Sequence, residues 1–154
     1  MAAPTLSLKG RALRLLSQRE HSLEELRRKL ARHVQEGDDL AAVLHDLQAK
    51  GFINESRVVE SVLHRRAGQL GAARLRQELQ AKGIASEAVQ QAVAGLQSSE
   101  FQRAHALWLR KFGTPPGDDA REWARQSRFL AARGFSGDIV RRVVRGEAPE
   151  PDAE

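Results

Sequence analysis

The chain has 154 residues, 41% of them apolar, enough to bury a core in one domain or a short array of repeats. It holds no cysteine, which excludes disulfides and thiolate metal sites, and no apolar run near the ~20 residues that a membrane helix needs. Lys and Arg outnumber Asp and Glu by 25 to 20, and the segment from Glu147 to Glu154 has four acids and no base, leaving 25 bases against 16 acids, or +9, in residues 1–146. Arginine supplies 20 of the 25 cations and offers a planar fork suited to phosphate or carboxylate. Met1 to Gly10 lacks an apolar stretch of signal-peptide length, so a cytoplasmic protein is expected.

In chain order, Leu8 to Ser17 reads as a first helix with Leu8, Ala12, Leu15 and Leu16 on one side. Ser22 followed by Glu25 is a capping-box pattern, and Leu23, Leu26 and Leu30 continue as the apolar stripe of a second helix. Asp38 or Asp39 can cap a third, with Leu40, Val43, Leu44 and Leu47 inward and Gly51-Phe52 as its stop. Asn54 can cap a fourth helix bearing Val58, Val59, Val62 and Leu63. The fifth runs from about Gly71 to Lys82 around Leu75 and Leu79, with Gly83-Ile84 as stop, and Ser86 caps a sixth with Val89, Val93 and Leu96 inward. Ser98 or Ser99 starts a seventh helix through Ala104, Leu107, Trp108 and Phe112. Gly113-Thr114-Pro115-Pro116-Gly117 is a strong loop signal, because proline removes donors and disfavours helix. Asp118 or Asp119 opens an eighth helix, with Glu122 spaced for a reciprocal cap, and Gly134-Phe135 stops it. Ser136 caps a ninth with Ile139, Val140, Val143 and Val144. Both tryptophans are expected to pack in cores. The Pro- and acid-rich stretch after Gly146 is expected to be disordered.

The helices repeat. Leu79-Gln80-Ala81-Lys82-Gly83-Ile84 matches Leu130-Ala131-Ala132-Arg133-Gly134-Phe135 at an offset of 51, and a serine cap follows each. Leu26 and Leu30 match Leu75 and Leu79 at an offset of 49. The fold expected is all-α: three tandem three-helix modules, 1–51, 52–97 and 98–146, in an elongated or crescent-shaped array, then the tail 147–154.

No phosphate-loop or dinucleotide-binding glycine pattern occurs, and none of the five histidines has a second histidine three or four residues away. The acidic pairs Glu24-Glu25, Asp38-Asp39 and Asp118-Asp119 sit at helix starts, where the helix dipole accounts for them. No catalytic residue, metal site or cofactor is therefore expected. The cations that recur in every module are the better lead. Candidate partner- or DNA-binding residues are Arg27, Arg28 and Arg32; Arg65, Arg66, Arg74, Arg76 and Lys82; Arg110 and Lys111; Arg125, Arg128 and Arg133; and Arg141 and Arg142. Singly, each such arginine is best read as a solvated residue paired with a nearby glutamate; recurrence in clusters favours binding.

Several segments resemble the RecX regulatory family: Gly51-Phe52-Ile53-Asn54-Glu55, Arg65-Arg66, Arg74 to Leu79 and Lys82-Gly83-Ile84 in the middle, Ser17 to Ser22 with Glu25-Leu26 and Lys29-Leu30 before it, and Arg110-Lys111-Phe112 with Phe129-Leu130 and Arg133 to Ser136 after it. The likeness spans about Leu8 to Arg145. Where the family usually has an acidic pair followed by Phe-Ala, this chain has Asn54-Glu55 and Val58-Val59, and its first module lacks the glycine stop on the middle helix. The resemblance implies a non-enzymatic regulator that binds the RecA–DNA filament along its groove and most often inhibits strand exchange and ATP hydrolysis, with single- or double-stranded DNA as a further partner; a monomer with no membrane partner is expected. The residues alone leave open a helical DNA-binding module acting without RecA, or a protein scaffold that ignores DNA.

Overall fold

In a computed structural model, residues 5–150 are described; the first four residues and the last four, which hold half of the acidic tail, lie outside the described residues. The described residues form nine α-helices and no strand: α1 (Leu8–Gln18), α2 (Leu23–Leu30), α3 (Leu40–Ala49), α4 (Glu55–Arg66), α5 (Ala72–Ala81), α6 (Ser86–Ala94), α7 (Glu100–Lys111), α8 (Ala120–Ala132) and α9 (Gly137–Val144). Short 3-10 turns at Ala31–His33 and Gln97–Ser99 follow α2 and precede α7. The expected caps are largely in place. Ser22 and Glu25 form a complete capping box, Asp39, Asp119 and Ser136 cap α3, α8 and α9, and Asn54 Oδ1 accepts from the Arg57 N–H at the start of α4; Ser7, a cap the spacing does not indicate, accepts from the Gly10 N–H. Three spacings are used differently. Ser86 is the first residue of α6 itself rather than the cap before it. Ser99 caps nothing, its hydroxyl instead donating to the Leu96 carbonyl at 3.1 Å. Glu122 holds Arg125 and Gln126 rather than closing a box with Asp119.

The chain divides into two compact units, residues 1–61 with 81–85, and 62–80 with 86–154. In the first, Leu8 and Ala12 of α1, Leu26 and Leu30 of α2, Leu44 and Leu47 of α3, and Ile53 form one core. In the second, α7, α8 and α9 enclose Ala104, Leu107, Trp108, Leu130, Phe135, Ile139, Val140, Val143 and Val144. Trp108 is buried there and its Nε1 donates to the buried Gln126 Oε1 at 2.7 Å. The Gln126 amide donates onward to the Thr114 carbonyl in the proline loop, at 3.0 Å.

Each unit contains a joint in which the first turn of one helix seats on the last turn of another. In the second unit, α5 has no side-chain cap of its own, since Gly71 precedes it. Its first donors go elsewhere: Gly71 N–H to the Arg133 carbonyl (2.7 Å), Ala72 N–H to Glu100 Oε1 (3.2 Å) and Ala73 N–H to the Gly134 carbonyl (3.3 Å). Arg74 Nη1 donates to the Ala132 carbonyl at 2.8 Å. The positive end of α5 thus meets the negative end of α8, and orphan donors and acceptors satisfy each other. Only glycines permit this approach. A Cβ on Gly71 would lie 2.4 Å from the Gly134 oxygen, and one on Gly134 would lie 2.5 Å from Arg74 Cγ. Gly134 also takes φ +91°, closing α8 as the Gly-Phe signal anticipates.

In the first unit the start of α2 seats on the end of α5 in the same way. Ser22 Oγ donates to the Lys82 carbonyl at 2.6 Å, Arg28 Nη1 donates to the Ala81 carbonyl at 3.0 Å, and a Cβ on Gly83 would meet Glu24 Cβ at 2.7 Å. Glu25 is the hub, accepting from Arg19 Nη2 (2.7 Å), Ser22 N–H (3.2 Å) and Lys82 Nζ (3.0 Å). Burial raises the pKa of its carboxyl, but the bonds from Arg19, Ser22 and Lys82 outweigh burial and bring it down to about 2. Beside it His21 is buried. Its Nδ1 lies 3.0 Å from the Arg19 carbonyl and its Nε2 3.0 Å from Lys29 Nζ. A neutral ring, donating at Nδ1 and accepting at Nε2, satisfies both contacts; burial, with Arg19 and Lys29 nearby, lowers its pKa.

Two outcomes are expected. Gly134→Ala should cost about 2–4 kcal/mol through overpacking and left-handed strain. Gly37→Ala, also at positive φ but with nothing within 4 Å of the new Cβ, should cost about 1–2 kcal/mol; thermal unfolding followed by circular dichroism separates them. As pH falls, the unfolded chain protonates His21 before the folded chain does, so stability drops below the ordinary value of 6.5. It drops again between the ordinary carboxyl value of 4.5 and about 2 as Glu25 is protonated. Glu25→Gln should shrink the second step and keep the first, slightly deepened because the Glu25 charge raises the His21 pKa, as read by urea midpoints across pH; equal profiles would contradict this reading.

Candidate binding surface

The helical stripes that build the cores push the charged positions outward. On α2, burial of Leu26 and Leu30 leaves Arg27, Arg28 and Lys29 exposed, and Arg32 follows on the 3-10 turn. Arg27 and Arg28 share Glu24, with Arg27 Nε 2.9 Å from Oε2 and Arg28 Nε 3.1 Å from Oε1. The Arg27 hydrogen bond is the main cause holding the Glu24 carboxyl below its usual range. Among the described residues, the one hydrogen bond of the Arg32 side chain is from Nε to the neighbouring His33 ring, at 3.3 Å. Lys82 is engaged by Glu25 in the joint. Arg11 and Arg14 of α1, which were not among the candidates, carry no side-chain hydrogen bond or ion pair among the described residues; the i, i+3 spacing that sets both off the α1 stripe was their only signal in the sequence.

In the second unit, several candidate cations are committed internally. Arg66 grips Glu78 with Nη2 at 2.9 Å and Nε at 3.3 Å, and Arg65 lies exposed in the same last turn of α4. Arg74 belongs to the joint with α8. Arg142 holds Glu147 Oε1 at 2.8 Å while its guanidinium lies 4.2 Å from the Phe101 ring centre. Arg145 reaches the other oxygen of the same carboxylate. With both arginines donating to it, the Glu147 carboxyl is pulled down to about 2, so the root of the acidic segment is fixed at the end of α9. Arg103, absent from the candidates, proves to be a half-buried clamp. It donates to the carbonyls of Ala67 (2.7 Å) and Leu70 (2.8 Å), to Leu96 and to Ser99 Oγ, and burial lowers its pKa.

The rest form an outward surface. Phe112 and Phe129 meet edge to face with centroids 5.4 Å apart. Lys111 and Arg133 lie 5.4 and 5.1 Å from the Phe129 ring centre, and Arg125, also paired with Glu122, lies 4.9 Å from that of Phe112. Two half-buried rings therefore carry three cations on α7 and α8, an arrangement that keeps guanidinium and ammonium groups raised on an apolar base. Arg110 makes one long contact, 3.4 Å, to the Gly68 carbonyl. Arg76, Arg128 and Arg141 are exposed and have no ion pair or side-chain hydrogen bond among the described residues. Among those residues there is also no group of three or more His, Asp or Glu placed to hold a metal, and no helix long and apolar enough to cross a membrane.

Comparison with known proteins gives this arrangement its relatives. Residues 54–93 match the second three-helix domain of RecX and residues 98–144 match the third. The chain is 56% identical to the regulatory protein RecX of Leptothrix cholodnii over 92% of this chain and 90% of that one. It is 49% identical to that of Ralstonia nicotianae over 95% and 92%. Among solved structures, a crystal structure of regulatory protein RecX aligns with a TM-score of 0.71 at 21% identity, covering 88% of this chain and 70% of that one. RecX from Lactobacillus salivarius aligns with a TM-score of 0.70 at 20% identity, covering 91% and 94%. With two family-model domains over more than half of its length and relatives of 49–56% identity over more than nine tenths of it, the chain belongs to the RecX family of regulatory proteins.

Proposed function

We propose that this protein regulates a RecA recombinase by binding the RecA–DNA filament, without catalysis of its own, and that it lowers ATP hydrolysis and strand exchange. The reading rests on family membership and on one observation: after internal ion pairs are formed, each unit still presents arginines with no carboxylate partner. Among the described residues these include Arg11, Arg14 and Arg32 in the first unit and Arg76, Arg121, Arg128 and Arg141 in the second. Leaving guanidinium groups unpaired on a chain with 20 acidic residues costs little in water and favours a polyanionic or acidic partner. The three-module division at 1–51, 52–97 and 98–146 is part of the same proposal, with one set of cations for each module to place against successive filament subunits. Arg27, Arg65, Arg110, Lys111, Arg125 and Arg133 extend these sets, whereas Arg28, Arg66, Arg74, Lys82 and Arg142 chiefly hold the scaffold.

Adding the protein to RecA, single-stranded DNA and ATP should slow hydrolysis, and the effect should weaken as salt rises, because contacts to phosphates release counterions. Unchanged hydrolysis and strand exchange at saturating protein would overturn the proposal. The two neighbouring arginines of α5 should separate. Arg74→Ala removes the bond to the Ala132 carbonyl and should lower stability by about 1–2 kcal/mol. Arg76→Ala should leave thermal unfolding within about 0.5 kcal/mol of the parent and weaken filament inhibition.

A further inference from the structure

The first unit holds an open cleft of about 530 Å³ between α1, α2 and the 3-10 turn after α2. Leu6, Leu15 and Leu30 line it together with Arg11, Arg14, Lys29 and Arg32. Leu6 is 41% exposed, an apolar side chain left open to solvent at the edge of a basic cleft. Arg28 also borders the cleft, already tied to Glu24 and the Ala81 carbonyl. The other four cations have no carboxylate partner among the described residues, and Lys29 contacts only the His21 ring. Several positive charges around a low-dielectric wall focus the field into the cleft. His33, at the same margin, registers that field: burial first, then Arg11 and Arg32, push its pKa down.

The ligand must satisfy two demands together, negative charge for the guanidinium groups and an apolar group for the leucines. The only ring among the lining residues is the His33 imidazole at the margin, and no Phe, Tyr or Trp lines the cleft, so it lacks the extended aromatic platform on which successive nucleic-acid bases stack. A volume of this size accommodates a large side chain and its flanking backbone. We infer that the cleft binds an acidic peptide segment carrying one apolar anchor residue, the anchor on Leu6 and Leu15 above the buried Leu30 and the flanking carboxylates on Arg11, Arg14, Lys29 and Arg32. This deepens the partner-binding reading of Arg32 and rests on it for its biological setting; peptide binding and RecA hydrolysis are separate measurements, so either can fail alone.

The test uses the full chain and a short fluorescein-labelled peptide of alternating aspartate and glutamate with one central phenylalanine, followed by anisotropy. Binding is expected, weakened about tenfold or more by the double variant Arg11→Glu/Arg14→Glu, and weakened also when serine replaces the central phenylalanine. Circular dichroism checks that the variant is folded; should it not be, Arg14→Ala, which removes one exposed unpaired side chain, must still weaken binding. Absence of peptide binding, equal binding by the folded variants, or indifference to the phenylalanine would overturn the inference. So would a labelled single-stranded oligonucleotide that binds and shows the same loss in the variants while the peptide does not bind, which would assign the cleft to nucleic acid.

Discussion

Every helix end leaves backbone donors or acceptors without intrahelical partners, and this protein satisfies many of them by seating one helix end on another. The start of α5 on the end of α8 and the start of α2 on the end of α5 are two instances of one solution. In each, a donor at the first helix's N-terminus reaches the carbonyl of the residue before a left-handed glycine, and an arginine from the same helix takes the carbonyl before that. The electrostatics are favourable because opposite ends of the helix dipoles meet. The steric condition is severe, since the glycine's missing Cβ is where the incoming helix lies. The repeated Lys-Gly-Ile and Arg-Gly-Phe stops are therefore receptors for another helix as well as terminators of their own.

This constraint sorts the arginines. Those within reach of a helix-end carbonyl or a neighbouring carboxylate become structural: Arg28, Arg66, Arg74, Arg103 and Arg142 each make at least one such bond. Arg142 and Arg145 also absorb Glu147, so part of the acidic segment serves as a local counter-charge at the end of α9. What remains outward is a smaller set than composition suggests, and it includes the cations raised on Phe112 and Phe129. Arginine-rich sequence therefore overstates the binding surface here, because a guanidinium is also the most versatile cap for helix carbonyls.

Helix existence, class and most boundaries were legible in the chain because they depend on local spacing: a leucine stripe, a Ser or Asp cap, a Gly-apolar stop. Asp39, Asp119 and Ser136 cap the helices their positions suggest, and Gly51 and Gly134 adopt the positive φ their context requires. The family too was legible, because short motifs in a fixed order survive where overall identity to solved structures is 20–21%. The division of labour among the arginines was not. Arg74 and Arg76 look alike two residues apart on one helix, yet one bonds the Ala132 carbonyl, 58 positions away, and the other faces solvent.

By itself, then, the sequence determined an all-helical repeat with basic surfaces and a regulatory lineage, since each of these follows from periodicity, capping chemistry, net charge or motif order along the chain. Only the tertiary structure decided that Gly71 starts α5 without a cap because Arg133, Gly134 and Glu100 supply its partners, that Glu25 is a half-buried hub joining Arg19 to Lys82, and that Arg11 and Arg14 share a leucine-lined cleft with Arg32. The physical reason is common to all three. A hydrogen bond or a shared cleft between residues tens of positions apart depends on the path of the backbone between them, which no local spacing encodes.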